Sequence, residues 1–276
     1  MAPGVTLGAD VTSEITEQDY GHIAGRIRGY IKQRIAEARA DGLILGLSGG
    51  IDSAVLAYLC RTDGLLEKTL AIMMPDTTVT PESETADAQR IISILGMQHK
   101  LVDIAPILRE YSMYLEPNRD ARANLAARVR ANILYYYANA KNLLVLGSSD
   151  RSEHLIGYFT KYGDGASDVA PIVSLYKLQV RGLARHLGVP DSIIQKKSSP
   201  FLRKGHEAEE EIGAAYEEID SVLWCAIEKG MPAEAAAEAA QVDVARARDI
   251  LEMNRSSRHK RRLPAREDLG QAYDVR

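Results

Sequence analysis

The chain has 276 residues, which at ~100 to 200 residues per domain predicts one large domain or two small ones. Its 34 Lys and Arg residues against 38 Asp and Glu residues give a formal net charge of −4, which excludes a whole-molecule field that gathers nucleic acid or anionic membrane. A hydrophobic content of 46% and a charged content of 26% are typical of globular domains and exclude a largely disordered chain. Any site for a phosphate-rich ligand must therefore be built from local charges.

The N-terminal region and the cysteines indicate the compartment. Residues 1–16 have neither the basic nor the apolar segment of a secretion signal, and no run of 18 apolar residues occurs. Cys60 and Cys225 each follow apolar residues, and two cysteines cannot build a disulfide framework or a Cys-rich zinc site. We expect a cytoplasmic protein with no membrane or nucleic-acid partner, in which both cysteines are small core residues. Residues 1–17 are expected to form a loose arm before a single domain over residues 18–276.

Strands and helices alternate along the chain after this arm. An amphipathic helix over 18–40 precedes a short apolar strand over 43–47 and a helix over 53–60. The other predicted strands are 69–74, 97–104 and 143–146, and the other predicted helices are 82–95, 124–141, 176–187, 209–224, 232–240 and 242–256. Short apolar strands of this kind are typical of a parallel sheet that is covered on both faces.

The predicted fold class is therefore α/β, a doubly wound and mostly parallel sheet of Rossmann-like type with a helical C-terminal part. Right-handed crossovers bring the carboxyl ends of the strands to one edge of such a sheet. Ligands of open α/β folds bind at that edge.

The most informative segment is Gly46-Leu-Ser-Gly-Gly-Ile-Asp-Ser53, where the first strand turns into a helix. Gly49 and Gly50 permit positive φ and let backbone N–H groups approach a phosphate, and the helix N-terminus adds partial positive charge. Asp52 would repel a phosphate unless a divalent cation lay between them, which indicates Mg²⁺ bound to Asp52 and a polyphosphate. The expected ATP-binding residues of this loop are Gly46, Leu47, Ser48, Gly49, Gly50, Ile51, Asp52 and Ser53.

Two common nucleotide-binding loops do not fit this segment. It lacks the Lys and the spacing of a Walker loop, and Ser48 breaks the Gly-x-Gly-x-x-Gly dinucleotide fingerprint. An NAD-dependent dehydrogenase is therefore disfavoured. A glycine turn that only joins strand to helix would explain Gly49 and Gly50, but it would not explain the acid and the hydroxyl groups around them.

A second acidic residue, Glu153, follows the predicted strand over 143–146. This position puts Glu153 at the same sheet edge as Asp52, and two carboxylates from neighbouring strand ends make a suitable Mg²⁺ site. The plainer explanation is an acid that stabilises the dipole of a helix N-terminus.

The Ser-Gly-Gly-x-Asp-Ser segment resembles the signature of the ATP pyrophosphatase superfamily, which has the adenine nucleotide alpha hydrolase type of fold. Its members cleave ATP between the α and β phosphates and adenylate a substrate oxygen. From about Tyr20 to Pro264 the chain is similar, in the order and spacing of its motifs, to the ammonia-dependent NAD synthetases. The motifs are Ala127-Arg-Val-Arg130, Gly147-Ser-Ser-Asp-Arg-Ser-Glu153, Phe159-Thr-Lys-Tyr-Gly-Asp-Gly165, Ser198-Ser-Pro200 and His259-Lys-Arg-Arg262. Of these, the segment that begins at Phe159 is the most specific.

The resemblance implies roles for particular residues. ATP would be bound by Ser148 and Ser199, which stand where the family usually has Thr, and by Lys177. Deamido-NAD would be bound by Arg128, Lys161, Asp168, His259 and Lys260, the last two reaching it from the partner subunit of a homodimer. The catalytic residues would be Asp52, Lys161 and Lys177, with Lys161 near the reacting carboxylate and Mg²⁺ on Asp52 and Glu153.

Plainer explanations exist for several of these residues. Lys177 could be a solvated surface lysine, and the segment 159–168 could be an ordinary surface loop. The basic run 258–262 could be a nucleic-acid tail, a solvated tail or a phosphate clamp. Arg128 and Arg130 lie ~200° apart around a helix, so only one can face a given ligand. The family pattern selects Arg128 and leaves Arg130 as an ordinary ion-pairing residue.

The implied reaction joins ammonia to deamido-NAD at the expense of ATP and gives NAD, AMP and pyrophosphate through an acyl adenylate. The matching span leaves fewer than 20 residues before Tyr20 and no room for a glutaminase domain, so we expect ammonia that is free or delivered by a separate protein. Residues 196–206 are expected to form a lid that orders when ATP binds.

Two other functions fit part of the pattern. A different enzyme of the superfamily, which amidates xanthosine monophosphate or adenylates a tRNA uridine, would share Asp52 but lack the segment 159–165. A nonenzymatic nucleotide-binding module would keep the glycines without needing Glu153.

Overall fold

The computed structural model describes residues 11–62, 64–197, 199 and 208–262. Within them, four parallel strands form one sheet in the order β3-β2-β1-β4. The strands are β1 (Gly42–Gly46), β2 (Thr69–Met73), β3 (Gln98–Leu101) and β4 (Leu143–Leu146). Leu43 in β1 lies opposite Thr69 in β2 and Leu144 in β4. The predicted α/β fold with a parallel sheet is confirmed.

The strand order changes direction at β1. The chain runs from β1 to β2 and β3 on one side and then returns to place β4 on the other side. In an open α/β sheet such a reversal leaves a crevice outside the carboxyl ends of the two strands that flank it. The segments that follow β1 and β4 therefore meet at one place.

Helices cover both faces of the sheet and form the C-terminal part. In chain order they are α1 (Val11–Thr16), α2 (Tyr20–Ala38), α3 (Ile51–Leu59), α4 (Glu82–Leu95), α5 (Ala105–Ser112), α6 (Arg119–Lys141), α7 (Arg151–Ile156), α8 (Lys177–Leu187), α9 (Asp191–Ile194), α10 (Ala208–Ile212), α11 (Tyr216–Leu223), α12 (Ala233–Ala240) and α13 (Val244–Ser256). A π-helical turn spans Trp224–Glu228, and a 3-10 turn spans Ser257–Arg261.

Alternation along β1 assigns the helices to the two faces. Leu43 and Leu45 belong to a core with residues of α2, α3, α4 and α8. Ile44 belongs to a different core with residues of α5 and α6. The side chains of a strand point alternately to opposite faces, so α3 and α6 lie on opposite sides of the sheet. All three strand residues are fully buried, which stabilises the fold by about 1.5–3 kcal/mol each.

The helical C-terminal part has a core of its own, formed by residues of α1, α7, α8 and α10 to α13. Val11 and Ile15 of α1 are buried in this core, so the prediction of a loose arm is wrong for residues 11–16. These two apolar residues are four apart and share one helix face, and the polar residues between them hid that pattern. Residues 1–10 lie outside the described part of the chain.

Most other predicted elements agree with the structure to within two residues. Strand β3 is shorter than predicted because it is an exposed edge strand. Helix α6 begins earlier, at Arg119, because the side chain of Asn118 accepts a hydrogen bond from the N–H of Ala121 (2.9 Å). The helix predicted over 209–224 is divided into α10 and α11 at Gly213, whose φ is 79°. Helices α5, α7 and α9 were not predicted.

Two expectations about the core and the membrane can be compared with the structure. Cys60 and Cys225 are both buried, as predicted, and burial raises the pKa of the Cys60 thiol to about 11. Among the helices of the described ranges, none has both the length and the apolar character needed to cross a bilayer.

Candidate active site

A cavity of about 460 Å³ lies at the carboxyl edge of the sheet. Gly46, Met73 and Leu146, at the ends of β1, β2 and β4, contribute to its lining. Its volume is within the range of about 300–1,000 Å³ that is typical of sites for small molecules. The cavity therefore occupies the crevice that the strand order creates.

The loop after β1 is shaped by its own hydrogen bonds. The Ser53 hydroxyl accepts from the N–H of Ser48 (3.2 Å) and donates to the carbonyl of Gly50 (3.0 Å), while the Ser48 hydroxyl accepts from the N–H of Gly50 (3.2 Å). Gly49 has φ 84°, and a Cβ at this position would lie 2.4 Å from the carbonyl oxygen of Glu84. Only glycine fits such a position.

The predicted loop residues divide into two groups. Gly46, Leu47, Ser48, Gly50, Ile51 and Asp52 line the cavity, whereas Gly49 and Ser53 support the loop from behind. The loop continues directly into α3, whose first N–H groups have no acceptor within the helix. The arrangement offers backbone donors and partial positive charge to an anion in the cavity.

Lys196 connects the loop to α4. Its ammonium donates to the carbonyl of Gly49 (3.1 Å) and to the carboxylates of Glu84 (2.9 Å) and Asp87 (2.6 Å). Burial raises the pKa of Glu84, which the ammonium opposes. Lys196 and the predicted ATP ligand Ser199 line the cavity. The other residues of the predicted lid, apart from Lys197, lie outside the described part of the chain: these are residues 198 and 200–206.

One side of the cavity is built on a buried lysine with three carboxylates, which we call the carboxylate wall: Asp52, Asp150, Glu153 and Lys177. The Lys177 ammonium lies 2.9 Å from both oxygens of Asp52, 2.7 Å from Asp150 and 3.0 Å from Glu153. Lys177 and Asp150 are fully buried, whereas the side chains of Asp52 and Glu153 are 20% and 18% exposed. The two partly exposed carboxylates line the cavity, and the lysine lies behind them.

The charges of this wall are unequal and perturb one another. Burial raises the pKa of Glu153 well above its usual value, with the Lys177 ammonium opposing the shift and Asp150 and Asp52 adding to it. Burial alone would lower the pKa of Lys177, but the three carboxylates raise it well above its usual value. One ammonium therefore faces three carboxyl groups, and a further cation at the cavity surface would oppose the rise in the pKa of Glu153.

Asp220 supports this wall from the helical C-terminal part. Its carboxylate accepts hydrogen bonds from the Ser152 hydroxyl and from the N–H of Leu178 (2.9 Å), and the Ser152 oxygen accepts from the N–H of Lys177 (2.9 Å). Asp220 is fully buried, and burial raises its pKa to about 7. These bonds fix the first residues of α8 against α7 and α11.

The carboxylate wall can be tested against the predicted metal. Asp52 and Glu153 both offer oxygen atoms at the cavity surface, and hard divalent cations prefer oxygen ligands. Within the described ranges, no group of three or more His, Cys, Asp or Glu side chains is arranged around an ion site. Two carboxylates at the cavity surface fit Mg²⁺, which is commonly held by one or two carboxylates and takes its other ligands from phosphate and water.

The opposite side of the cavity is formed by α6, and it carries Arg130 rather than Arg128. Arg130 lines the cavity, and its Nε donates to the carbonyl of Met74 (2.9 Å). Arg128 is exposed, and its Nε donates to the carbonyl of Lys161 (3.3 Å). The two arginines lie on different faces of α6, as predicted. The arginine that faces the cavity is Arg130, whereas the family pattern selects Arg128.

The other residues predicted to bind substrate lie mostly at the rim. The Lys161 ammonium donates to the carbonyl of His259 (3.1 Å), and Asp168 accepts from the N–H of Val145 (2.8 Å). The three predicted site residues Lys161, Asp168 and His259 do not line the cavity. Lys260 does line it and donates to the carbonyls of Gly157 (2.7 Å) and Phe159 (2.8 Å).

His259 and Lys260 thus contact the segment 157–161 of their own chain. The expectation that they reach a partner's site stays a prediction. Ser148 lines the cavity after β4, in keeping with its predicted position near ATP.

Several lining or supporting residues were missed at the level of sequence. Asp150 caps α7 by accepting from the N–H of Glu153 (2.8 Å), and its position before a short helix is a signal that could have been recognised. Asp220 and Arg130 gave no such local signal, because their roles depend on which helix faces turn inward.

The parallel sheet, its strand order and the glycine turn after β1 define a nucleotide-dependent enzyme with the adenine nucleotide alpha hydrolase type of fold. The family model described as NAD synthase matches residues 23–264, and the chain belongs to this family. The predicted resemblance is thereby confirmed.

Individual relatives agree with this assignment. The chain is 48% identical over 258 residues to the NH(3)-dependent NAD(+) synthetase of Hyperthermus butylicus, covering 93% of this chain and 94% of that protein. It superimposes on the NMN synthetase from Francisella tularensis with a TM-score of 0.81 and 31% identity, over 91% of this chain and 100% of that one. It superimposes on the NH3-dependent NAD synthetase from Campylobacter jejuni with a TM-score of 0.76 and 29% identity, over 91% of this chain and 99% of that one.

Proposed function

We propose that the cavity carries out the ATP-dependent amidation of deamido-NAD with ammonia, which gives NAD, AMP and pyrophosphate. This activity is that of a ligase that forms a carbon–nitrogen bond, and it follows from membership of the NAD synthase family and from the relatives that bear that name. The observation that carries the assignment to this cavity is the meeting of the loop after β1 with the Asp52 and Glu153 carboxylates at its surface.

The reaction has two steps. An oxygen of the nicotinate carboxylate attacks the α-phosphorus of ATP. The bond between the α-phosphorus and the oxygen that bridges it to the β phosphate breaks, and pyrophosphate leaves. Ammonia then attacks the carbonyl carbon of the acyl adenylate, AMP leaves, and a proton is lost as the amide forms. A free carboxylate resists ammonia, and adenylation supplies the leaving group. No nucleophilic side chain is required, so the protein acts by positioning and by neutralising charge.

The loop and the hydroxyl groups near it are the proposed binding site for ATP. Backbone N–H groups at the start of α3 would bind phosphate oxygens, and Ser148 and Ser199 would add hydroxyl contacts. Asp52 and Glu153 would hold Mg²⁺, which when bound neutralises phosphate charge and polarises the phosphorus centre.

Lys177 has a different proposed role from the one that the resemblance implies. Its side chain is fully buried behind Asp52 and Glu153 and does not line the cavity. We propose that Lys177 is a positioning residue, which holds the two carboxylates in place instead of touching the ATP phosphates. Its hydrogen bonds of 2.9 and 3.0 Å to them support this role.

The rim residues are the proposed contacts for the part of deamido-NAD that is remote from the reacting carboxylate. Arg128, Lys161 and His259 are joined to one another by hydrogen bonds through backbone carbonyls, and Lys260 extends this group into the cavity. Asp168 lies on the same side, next to β4. A cationic rim suits the pyrophosphate bridge of a dinucleotide.

A homodimer is the proposed assembly, in the cytoplasm where ATP is supplied. Met113, Tyr114 and Tyr136 are 68%, 75% and 70% exposed on α6 and the segment just after α5. A shallow cavity lined by Tyr111, Val129 and Tyr136 adjoins them. Exposed apolar surface of this kind is typical of a contact between protein chains, and sedimentation analysis would distinguish a dimer from a monomer.

The activity is tested by supplying deamido-NAD, ATP, Mg²⁺ and ammonium and following the products by mass. NAD with equimolar AMP and pyrophosphate is the expected result. ADP and phosphate, or no turnover, would contradict the proposal. Deamido-NMN is supplied in parallel, because one of the similar solved structures is an NMN synthetase, and we expect slower turnover with it.

A further inference from the structure

The cavity is lined by a cation, Arg130, whose two terminal nitrogens have no hydrogen-bond acceptor among the described residues. Arg130 donates through Nε to the carbonyl of Met74 (2.9 Å), and no described residue accepts a hydrogen bond from its two terminal nitrogens. Burial lowers the pKa of this guanidinium, which the nearby carboxylates of Asp76 and Asp164 oppose. The group stays charged, because arginine keeps its proton even in buried sites.

The two nearby carboxylates are engaged with other groups. Asp76 forms an ion pair with Arg122 (3.0 Å) and accepts hydrogen bonds from Thr78. Asp164 accepts from the N–H of Thr160 (2.9 Å). Leaving a buried charge without a direct partner costs free energy, and a ligand with an anionic group would remove that cost.

We propose that Arg130 binds the nicotinate carboxylate of deamido-NAD and orients it toward ATP. This inference rests on the proposed function. A guanidinium presents parallel donors in a planar fork that matches the two oxygens of a carboxylate. Arg130 is thus a substrate-binding residue that the sequence motif had left as an ordinary ion-pairing residue.

The location of Arg130 favours the carboxylate over an ATP phosphate. The loop after β1 leads into α3, which packs on one face of the sheet, whereas Arg130 belongs to α6, which packs on the other face. The loop after β1 and the carboxylate wall therefore approach the cavity from the side opposite to Arg130. The second anionic group that must enter the cavity for the reaction is the nicotinate carboxylate.

The contacts of the rim residues also favour deamido-NAD as the ligand of Arg130. Arg128 lies on the outer face of α6, and its Nε bonds the carbonyl of Lys161. Gly163, in the same segment as Lys161, packs so closely on α6 that a Cβ there would lie 2.9 Å from the Cβ of Ala127. Gly163 and Lys260 line the same cavity as Arg130, so a dinucleotide bound at this rim extends into the space that Arg130 borders.

The proposal has a chemical consequence for product release. The substrate carries a carboxylate at the nicotinate ring, whereas the product carries a neutral amide that cannot form an ion pair with a guanidinium. Arg130 therefore favours binding of deamido-NAD over NAD and weakens the hold on the product after amidation.

The test compares the wild type with Arg130→Gln and Arg130→Lys. Titration calorimetry measures the affinities for deamido-NAD, NAD and Mg-ATP separately. We expect Arg130→Gln to weaken deamido-NAD binding about tenfold or more, while the affinities for NAD and Mg-ATP change less than about twofold. Arg130→Lys keeps the charge but not the fork, and it should recover part of the loss. Arg119→Gln removes an exposed arginine from the same helix outside the cavity, and it should leave the preference for deamido-NAD over NAD unchanged.

Three outcomes would overturn the proposal. A loss of Mg-ATP affinity with unchanged deamido-NAD affinity would assign Arg130 to a phosphate. An unchanged preference for deamido-NAD over NAD, or an equal loss for all three ligands with a lowered melting temperature, would assign it to structure alone. Formation of NAD by the wild type is measured in the same series, so failure of the proposed function is recognised separately.

Discussion

The two sides of the cavity differ in how their charges are satisfied. On the carboxylate wall, the Lys177 ammonium contacts three carboxylates within 3.0 Å. On the α6 side, the Arg130 guanidinium has a backbone carbonyl as its hydrogen-bond acceptor among the described residues. An excess of carboxyl groups over ammonium groups suits a metal cation with its phosphates, and a guanidinium with two unpaired terminal nitrogens suits an anionic substrate group. Under the two proposals, ATP with Mg²⁺ binds at the carboxylate wall and the nicotinate carboxylate binds at the α6 side.

The fold accounts for this separation. Helices α3 and α8, which bring Asp52 and Lys177, pack on one face of the sheet, and α6 packs on the other. Residues of both layers, Asp52 of α3 and Arg130 of α6, line the cavity at the edge where the strands end. In the proposed function, the reaction takes place where the charges of one layer face those of the other.

The largest effect is expected for Lys177→Met. Removal of the lysine leaves Asp150 and its neighbours buried without a cation, which costs about 3–5 kcal/mol of unfolding free energy. Urea denaturation of the wild type and the variant, at pH 7.5 and at pH 5, measures this loss of unfolding free energy. The loss should be smaller at pH 5, because the uncompensated carboxylates take up protons in the folded state and stability then falls as pH rises.

Lys229→Met is the control for this variant. Lys229 forms a partly exposed ion pair with Glu14, and its removal should cost less than about 1 kcal/mol. Equal losses for the two lysine variants would show that the carboxylate wall does not depend on its central cation.

Asp52→Asn should affect the reaction much more than the fold. Lys177 keeps two carboxylate partners in this variant, so unfolding free energy should change by less than about 1 kcal/mol. Pyrophosphate release should fall about 100-fold, because a carboxylate at the proposed metal site is lost. Glu234→Gln, in an exposed ion pair with Arg248, is the control. Parallel losses of activity and melting temperature would instead indicate a structural role for Asp52.

A smaller effect is expected for Asp220→Asn, beneath the carboxylate wall. Burial raises the pKa of Asp220 to about 7 from an ordinary 3.8, so the folded protein binds this proton more tightly than the unfolded chain does. Its contribution to stability is full below about pH 3.8 and is lost as pH rises to 7. The melting temperature should therefore fall less between pH 5 and pH 7 in the variant than in the wild type. Parallel curves would contradict this assignment.

The parts of the fold that were predictable have strong local signals. Strand β4 and helix α4 have the predicted bounds, because apolar runs end at glycine in both cases. Helix α5 was missed, since Leu108 is its one buried residue and a proline lies in its first turn. Helix α1 was missed because its two buried residues pack on helices about 200 positions away in the chain.

The parts of the candidate site that were predictable also have local sequence signals. The glycine turn and Asp52 lie within eight residues of one another, and Glu153 follows a recognisable strand. The choice between Arg128 and Arg130 depends on the rotation of α6 about its axis. Ala127, Val129 and Ala131 are buried on that helix, but several of its other residues are half-buried, so burial pattern alone does not orient it.

The central claim is that the nicotinate carboxylate attacks the α-phosphorus of ATP in this cavity, and isotope transfer tests it most directly. Deamido-NAD labelled with ¹⁸O in both carboxylate oxygens is converted with ATP, Mg²⁺ and ammonium, and the products are analysed by mass. We predict one ¹⁸O in AMP, one in the amide of NAD and none in pyrophosphate. AMP without label, or label in pyrophosphate, would contradict the account.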